Sequence, residues 1–267
     1  MKAGIVALIG RPNAGKSTLL NTLLKQKVTI TSPKPNTTRF PIEAVYEDTQ
    51  GQIIFIDTPG LTNDVLSEKP HVVAYLIDHT RRRGSEENQT LGIVRKFGDI
   101  PKVLALNKID VEKPSFRSQY KFLEEEFDDH LEVSGLTGKH LKSFIDVLFK
   151  HLPEGEKLVD TDQMITPLLN MDSKTFIAEL VREKVFLSTG QEVPYRVGVK
   201  TLEVTERNNG SMYIRAVITT DNDRHKQMII GSGAKKIKQI GSMARKELEL
   251  ATGKKIYLEL TVQSSED

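Results

Sequence analysis

The sequence predicts an α/β fold, a mostly parallel sheet with helices on both faces, followed by a smaller α+β unit. Three observations carry that prediction. Apolar strand-like runs alternate with helix-compatible runs through residues 1–151, the pattern of a parallel sheet built from crossover units. Three of those runs end in polar turns, at the carboxyl ends where an open α/β sheet places a ligand. Beyond residue 172 the order changes to helix, strand, strand, helix, strand.

In chain order, Ala3–Ile9 is a strand of the buried type. It runs into Gly10-Arg11-Pro12-Asn13-Ala14-Gly15-Lys16-Ser17, which reads G-x-x-x-x-G-K-S, and a helix-compatible run follows from Ser17. Strand, glycine-rich loop and helix are the parts of a phosphate cradle: backbone N–H groups point inward and the helix presents its positive end. Gly10, Asn13, Ala14, Gly15, Lys16, Ser17 and Thr18 are the expected nucleotide contacts. Lys16 is placed to reach the β- and γ-phosphates and the Ser17 hydroxyl to reach Mg²⁺.

Residues 29–39 are polar and without period, which reads as a long functional loop. Two strands, 42–46 and 52–56, flank the turn Asp48-Thr49-Gln50-Gly51. The second ends in Asp57-Thr58-Pro59-Gly60. Asp57 at a strand end is placed for Mg²⁺, and Gly60 lets a backbone N–H approach a γ-phosphate.

A strand over 72–77, a helix over 85–96 and a strand over 101–106 come next. The last ends in Asn107-Lys108-Ile109-Asp110, an N-K-x-D pattern. The Asp110 carboxylate can accept from the guanine ring N1–H and the exocyclic amine together, and adenine would leave it unpaired. Asn107 is expected to brace the phosphate loop, and the Lys108 stem to lie along the base. Residues 116–127 read as a helix, 130–133 as a strand and 139–149 as a helix, with Ser134-Gly135 between the last two.

Residues 152–172 read as a linker. In the second unit, 174–184 is an amphipathic helix, 195–204 and 211–218 are strands, 235–251 is a helix and 255–262 a strand. Gly231-Ser232-Gly233-Ala234 precedes the helix, which begins Lys235-Lys236-Ile237-Lys238. The chain's 38 Lys/Arg nearly balance its 36 Asp/Glu, yet residues 224–255 hold nine basic and two acidic residues, a bias toward a polyanion partner. There are no cysteines, so no disulfide framework and no thiolate metal site. Without a signal-like or bilayer-length apolar stretch, a cytoplasmic protein is expected.

The motifs G-R-P-N-x-G-K-S, T-S-x-K-x-x-T-T-R and D-T-P-G-L resemble those of the Era family of GTPases. V-R-E-K-V-F, E-V-P-Y and I-I-G-x-x-x-K-K-I-K-Q-I-G resemble the family's KH domain. The resemblance implies a P-loop GTPase domain over 1–151, a linker over 152–172 and a type 2-like KH RNA-binding domain over 173–267. It implies GTP and GDP as ligands with Mg²⁺ held by Ser17, Thr38 and Asp57, and Lys16, Thr38 and Gly60 as catalytic contacts. Asn107, Lys108, Asp110, Ser134 and Gly135 would surround the base, where the family usually has S-A-x for Ser134-Gly135-Leu136. Asn13 matches the asparagine through which related GTPases take K⁺. Gly231, Ser232, Gly233, Ala234, Lys235, Lys236 and Lys238 would contact RNA, although Ala234 stands where G-x-x-G ends in glycine. Alanine fits that position if it opens the helix.

The implied partners are the 3′ end of 16S rRNA and the small ribosomal subunit, for a monomer that binds no DNA and makes peripheral contact with the membrane's cytoplasmic face. Only residues 61–71 separate Gly60 from the next strand, where the family has a full helix, and Leu61 cannot orient water, so slow hydrolysis is expected. A rival reading is a nucleotide-gated protein- or membrane-contact switch that has lost RNA binding and hydrolyses GTP weakly.

Overall fold

A computed structural model describes residues 1–25, 42–57, 69–161, 173–190 and 192–265. The chain divides into two compact units, 1–170 and 171–267.

The first unit is a six-stranded sheet in the order β2-β3-β1-β4-β5-β6. Its strands are β1 (Lys2–Ile9), β2 (Ile42–Glu47), β3 (Gly51–Asp57), β4 (Val72–Asp78), β5 (Lys102–Asn107) and β6 (Asp129–Glu132). Only β2 and β3 pair antiparallel, and every other neighbouring pair is parallel. β3 and β4 are buried at every residue, which is why they read as continuous aliphatic runs rather than alternating ones. β1 lies between β3 and β4, so the chain leaves it in one direction and later returns on its other side. The loop after β1 therefore sits at the crevice where such sheets bind ligands.

Helices α1 (Lys16–Leu24), α2 (Ser85–Arg95) and α3 (Leu141–His151) belong to this unit. α3 buries Leu141, Phe144, Ile145, Leu148 and Phe149, one stripe at helical spacing. α2 carries Glu86 and Glu87 in its first turn and Arg95 in its last, matching the helix dipole at both ends.

The helix predicted over 116–127 is absent. Two short 3-10 turns, Arg117–Gln119 and Lys121–Glu125, stand there instead. Tyr120, Leu123 and Phe127 are buried with Tyr75 and Leu104, so the apolar spacing was a core signal, satisfied by tight turns.

Of the stretch predicted as a linker, residues 153–161 lie against this sheet. Ala3 donates to the Pro153 carbonyl at 3.1 Å. The fully buried Gln52 accepts from the N–H groups of Leu158 at 2.8 Å and Val159 at 3.0 Å, and donates to the Val159 carbonyl at 2.8 Å. Residues 162–172 lie outside the described residues.

The second unit has the element order α4 (Ser173–Ser188), β7 (Val197–Glu206), β8 (Met212–Thr220), α5 (Asp223–Ile230), α6 (Lys235–Thr252), β9 (Ile256–Ser264). β7 and β8 are antiparallel, and β8 and β9 parallel. Helices α4, α5 and α6 pack Leu180, Ile229 and Ile240 with Ile214 and Ile218 of the sheet. The sequence reading missed α5 as a helix. It is short and mostly polar, and its mark is Asn222, whose side chain accepts from the His225 N–H at 2.8 Å as an N-cap.

Candidate functional site

The loop after β1 closes on itself before α1 begins. Ala14 donates to the Arg11 carbonyl at 3.1 Å, Asn13 has φ 65° and Gly15 φ 97°. Lys16, buried, donates its Nζ to the Gly10 carbonyl at 2.8 Å, so the side chain folds back over the loop. Burial pushes its ammonium below the usual lysine range, against the carboxylates of Asp57 and Glu87. Thr18 sits in the first turn of α1, and its carbonyl accepts from the Thr22 hydroxyl at 3.0 Å.

Asp57 ends β3 next to this loop. The Ser17 hydroxyl donates to its Oδ2 at 2.7 Å. Burial pushes the Asp57 carboxyl up, opposed by Lys16 and the Ser17 bond. Its Oδ1 is buried and has no hydrogen-bond partner among the described residues. A buried carboxylate oxygen beside a hydroxyl is a hard donor pair of the kind Mg²⁺ takes. Thr38 and Gly60, expected beside it, lie outside the described residues, as do Thr58 and Leu61.

The end of β5 meets the same loop. Asn107 donates Nδ2 to the Ala14 carbonyl at 2.8 Å, and its Oδ1 accepts the Gly135 N–H at 2.8 Å. One side chain thus ties three segments that are far apart in sequence. Asp110 accepts from the Ser134 hydroxyl at 2.5 Å, and that hydroxyl accepts from the Thr137 N–H at 3.0 Å. Lys108 has φ 71°, and its ammonium lies 2.7 Å from Asp78.

Sequence reasoning missed the frame behind the loop. Arg11 is buried, 3.0 Å from Glu87, and its guanidinium donates to the carbonyls of Arg82 at 3.1 Å and Asp78 at 3.3 Å. The Tyr75 hydroxyl donates to Glu87 at 2.5 Å. The Arg11 contacts bridge 67 to 71 residues of sequence, so local pattern holds no trace of them.

In the second unit the loop between α5 and α6 turns sharply. Gly231 has φ 73° and ψ 168°, a region open to glycine alone, and a Cβ there would lie 2.8 Å from that of Lys236. Ser232 and Gly233 are exposed, Gly233 with φ 57°. Ala234 has φ 58° and ψ 23° and caps α6 rather than opening it. The expectation that alanine fits a helical position here is overturned: its backbone is left-handed. Lys235 and Lys238 are exposed and Lys236 is half-buried, and none has an ion-pair partner among the described residues.

Beside this loop a groove of ≈ 320 Å³ runs between α6 and β9. Ile237, Gly241, Leu258 and Leu260 give it an apolar floor, with Lys238 and Arg245 also lining it. The signal in the sequence was Gly241-Ser242, two adjacent small residues in the middle of the helix.

A family model described as a 50S ribosome-binding GTPase matches residues 5–108, and a KH domain model matches residues 192–266. The GTPase Era of Halothermothrix orenii is 39% identical over 285 aligned positions, covering 100% of this chain and 94% of the relative. The chain belongs to the Era family. The GTPase Era of Trichlorobacter lovleyi is 38% identical over 99% of the chain and 93% of its own length. The crystal structure of a point variant of Aquifex aeolicus Era bound to GDP·AlF4⁻ superposes with a TM-score of 0.87 at 33% identity, covering 99% of this chain and 94% of that one. An Era structure in complex with MgGDPNP and nucleotides 1506–1542 of 16S ribosomal RNA gives the same TM-score, identity and coverage. The chain is accordingly a GTPase with a C-terminal KH domain. No helix among its described residues is long and apolar enough to cross a membrane.

Proposed function

We propose that the protein binds GTP with Mg²⁺, hydrolyses it slowly, and binds the 3′ end of 16S rRNA through its KH domain during small-subunit assembly. The observation that carries the nucleotide half is Asn107, bonded at once to the phosphate loop at Ala14 and to the Ser134-Gly135 turn. It holds the phosphate end and the base end of one ligand site in fixed relation, the preorganisation on which phosphoryl transfer depends.

In this reading the N–H groups of Gly10 and of Asn13 to Thr18, and the Lys16 ammonium, hold the nucleotide's phosphates. Asp110 reads the guanine edge, with Ser134 bracing its carboxylate and Gly135 shaping the turn beside it. Ser17, Asp57 and Thr38 are the proposed Mg²⁺ ligands, and the buried Asp57 Oδ1, which has no partner among the described residues, supports that set. Mg²⁺ would neutralise charge on the phosphates. Thr38 and Gly60 carry the γ-phosphate contacts in the proposal. Asn13 is the proposed K⁺ ligand. The domain limits proposed are 1–151 for the GTPase domain, with residues 153–161 strapped onto its sheet, and 173–267 for the KH domain.

The RNA half rests on the loop from Gly231 to Ala234, the cations of Lys235, Lys236 and Lys238, and the adjoining groove. Single-stranded RNA needs those three parts: close backbone approach, phosphate neutralisation and an apolar floor for unstacked bases. The rival reading, a protein- or membrane-contact switch without RNA binding, is not supported. The likeness to an Era structure holding 16S rRNA runs through the KH domain and covers 99% of the chain.

The test is a binding titration of labelled RNA covering the 16S 3′ end, against the same RNA scrambled, with protein loaded with a GTP analogue or GDP. Affinity for the native segment exceeds that for the scrambled one by about tenfold or more, and falls steeply with salt. Equal affinity for the two RNAs would overturn the assignment.

A further inference from the structure

We infer that Asp78, at the end of β4, is a positioning residue for guanine-nucleotide affinity, acting through Lys108. The inference rests on the reading of Asn107 to Asp110 as the base-recognition segment.

Lys108 is held at both its side chain and its main chain by the end of β4 and the residue after it. Its ammonium donates to Asp78 Oδ2 at 2.7 Å. Its carbonyl accepts from His79 Nε2 at 3.0 Å, so that nitrogen carries the hydrogen. In the sheet, Asp78 stands in register with Asn107, which sets the two chain ends side by side. Lys108 meanwhile has φ 71°, a left-handed conformation that a non-glycine residue keeps only when its surroundings enforce it.

Asp78 is the rigid partner. Its side chain is 1% exposed against 33% for Lys108. Its Oδ1 accepts from the Thr80 N–H at 2.9 Å and hydroxyl at 2.6 Å, and its carbonyl accepts from Arg11 at 3.3 Å. Arg11 belongs to the phosphate loop, so Asp78 is tied to both ends of the site. Burial alone would push the Asp78 carboxyl up, yet the bonds from Lys108 and Thr80 outweigh it and hold it low. An ionised carboxylate this buried fixes its cation, since leaving it unpaired is costly. A free lysine side chain would sample many rotamers, and ordering it on ligand binding has an entropic cost. Asp78 removes that cost beforehand and lays the Lys108 stem as one wall of the base site.

The experiment is a double-mutant cycle on the full chain, read as dissociation constants for fluorescent GDP and competing IDP, with ADP as reference. Asp78→Asn and Lys108→Met each weaken GDP about tenfold, and together they weaken it no more than either alone, as a shared path requires. Asp78→Glu keeps the charge and recovers most of the affinity. The GDP-to-IDP ratio stays constant in Asp78→Asn, because the 2-amine that IDP lacks faces Asp110. Additive losses, or a collapse of that ratio through a loosened strand end, would overturn the positioning role while leaving guanine recognition intact. Equal binding of ADP and GDP by the unmutated protein would instead remove the base-recognition reading, and this inference with it. If Asp78→Asn fails to fold, Asp78→Ser, which also removes the charge, takes its place in the cycle with Lys108→Met.

Discussion

Gly135 donates its backbone N–H to Asn107 Oδ1 at 2.8 Å, and a Cβ on Gly135 would lie 2.9 Å from that of Leu19. The family's usual alanine at this position therefore does not fit here. Leu19 is fully buried in α1, and the Gly135 carbonyl also accepts from the Thr22 hydroxyl at 2.5 Å. The loop is pressed onto the helix that follows the phosphate loop. Gly135→Ala, which restores the family's common residue, lowers stability by about 1–3 kcal/mol through overpacking. It also weakens GDP binding, because the shifted loop pulls on Asn107. Chemical denaturation and GDP titration of the same variant check both.

Ala234 carries left-handed strain at φ 58°. Glycine would relieve ~1–2 kcal/mol of that strain and return ~0.4–1 kcal/mol of entropy to the unfolded chain. Ala234→Gly thus stabilises the KH unit by the difference, on the order of 0.5–1 kcal/mol. It also removes a methyl group from the loop, so RNA binds more tightly. A thermal scan and an RNA titration at two salt concentrations read the two effects. An unchanged midpoint would contradict the strain argument.

The strand-end motifs were legible from sequence because each packs its chemistry into a few consecutive residues with a fixed backbone path. The Asn107 brace was legible for the same reason. The backbone sign at Ala234 was not, since a run such as Ala234-Lys235-Lys236 favours helix by propensity and the turn overrides it. The apolar spacing of Tyr120, Leu123 and Phe127 suits a helix or two tight turns equally well. Arg11 with Glu87, Asp78 with Lys108, and Gln52 with Leu158 and Val159 are long-range pairs, set by strand order, which no local window contains.

Gln52, near the start of β3, holds residues 158 and 159 to the first unit's sheet. Its fully buried side chain substitutes for a strand backbone, bonding the main chain of residues 158 and 159 three times. Gln52→Ala removes those bonds, each worth about 1 kcal/mol net. Hydrogen exchange at the Leu158 and Val159 amides accelerates by about tenfold or more, because the segment opens locally. Exchange in the phosphate loop stays as it was. Protection at 158 and 159 that survives the substitution would show that the strap is held by other contacts.

Asn13 tests the second cation. Turnover of GTP is faster in K⁺ than in Na⁺ at equal ionic strength, since a cation beside the phosphates stabilises developing charge. Asn13→Ala removes the difference and leaves the slow Na⁺ rate. Identical rates in the two salts for the unmutated protein would contradict the assignment.

The central claim is that this site selects guanine through Asp110, whose carboxylate is braced by the Ser134 hydroxyl at 2.5 Å. The measurement is a set of dissociation constants for GTP, ATP and XTP, taken on the unmutated protein and on Asp110→Asn. The unmutated protein binds GTP tighter than ATP by about 10⁴-fold, the discrimination that an unpaired buried polar group enforces. Asp110→Asn loses GTP and gains XTP, whose extra ring carbonyl accepts from the new amide. Equal affinity of the unmutated protein for ATP and GTP would contradict the account.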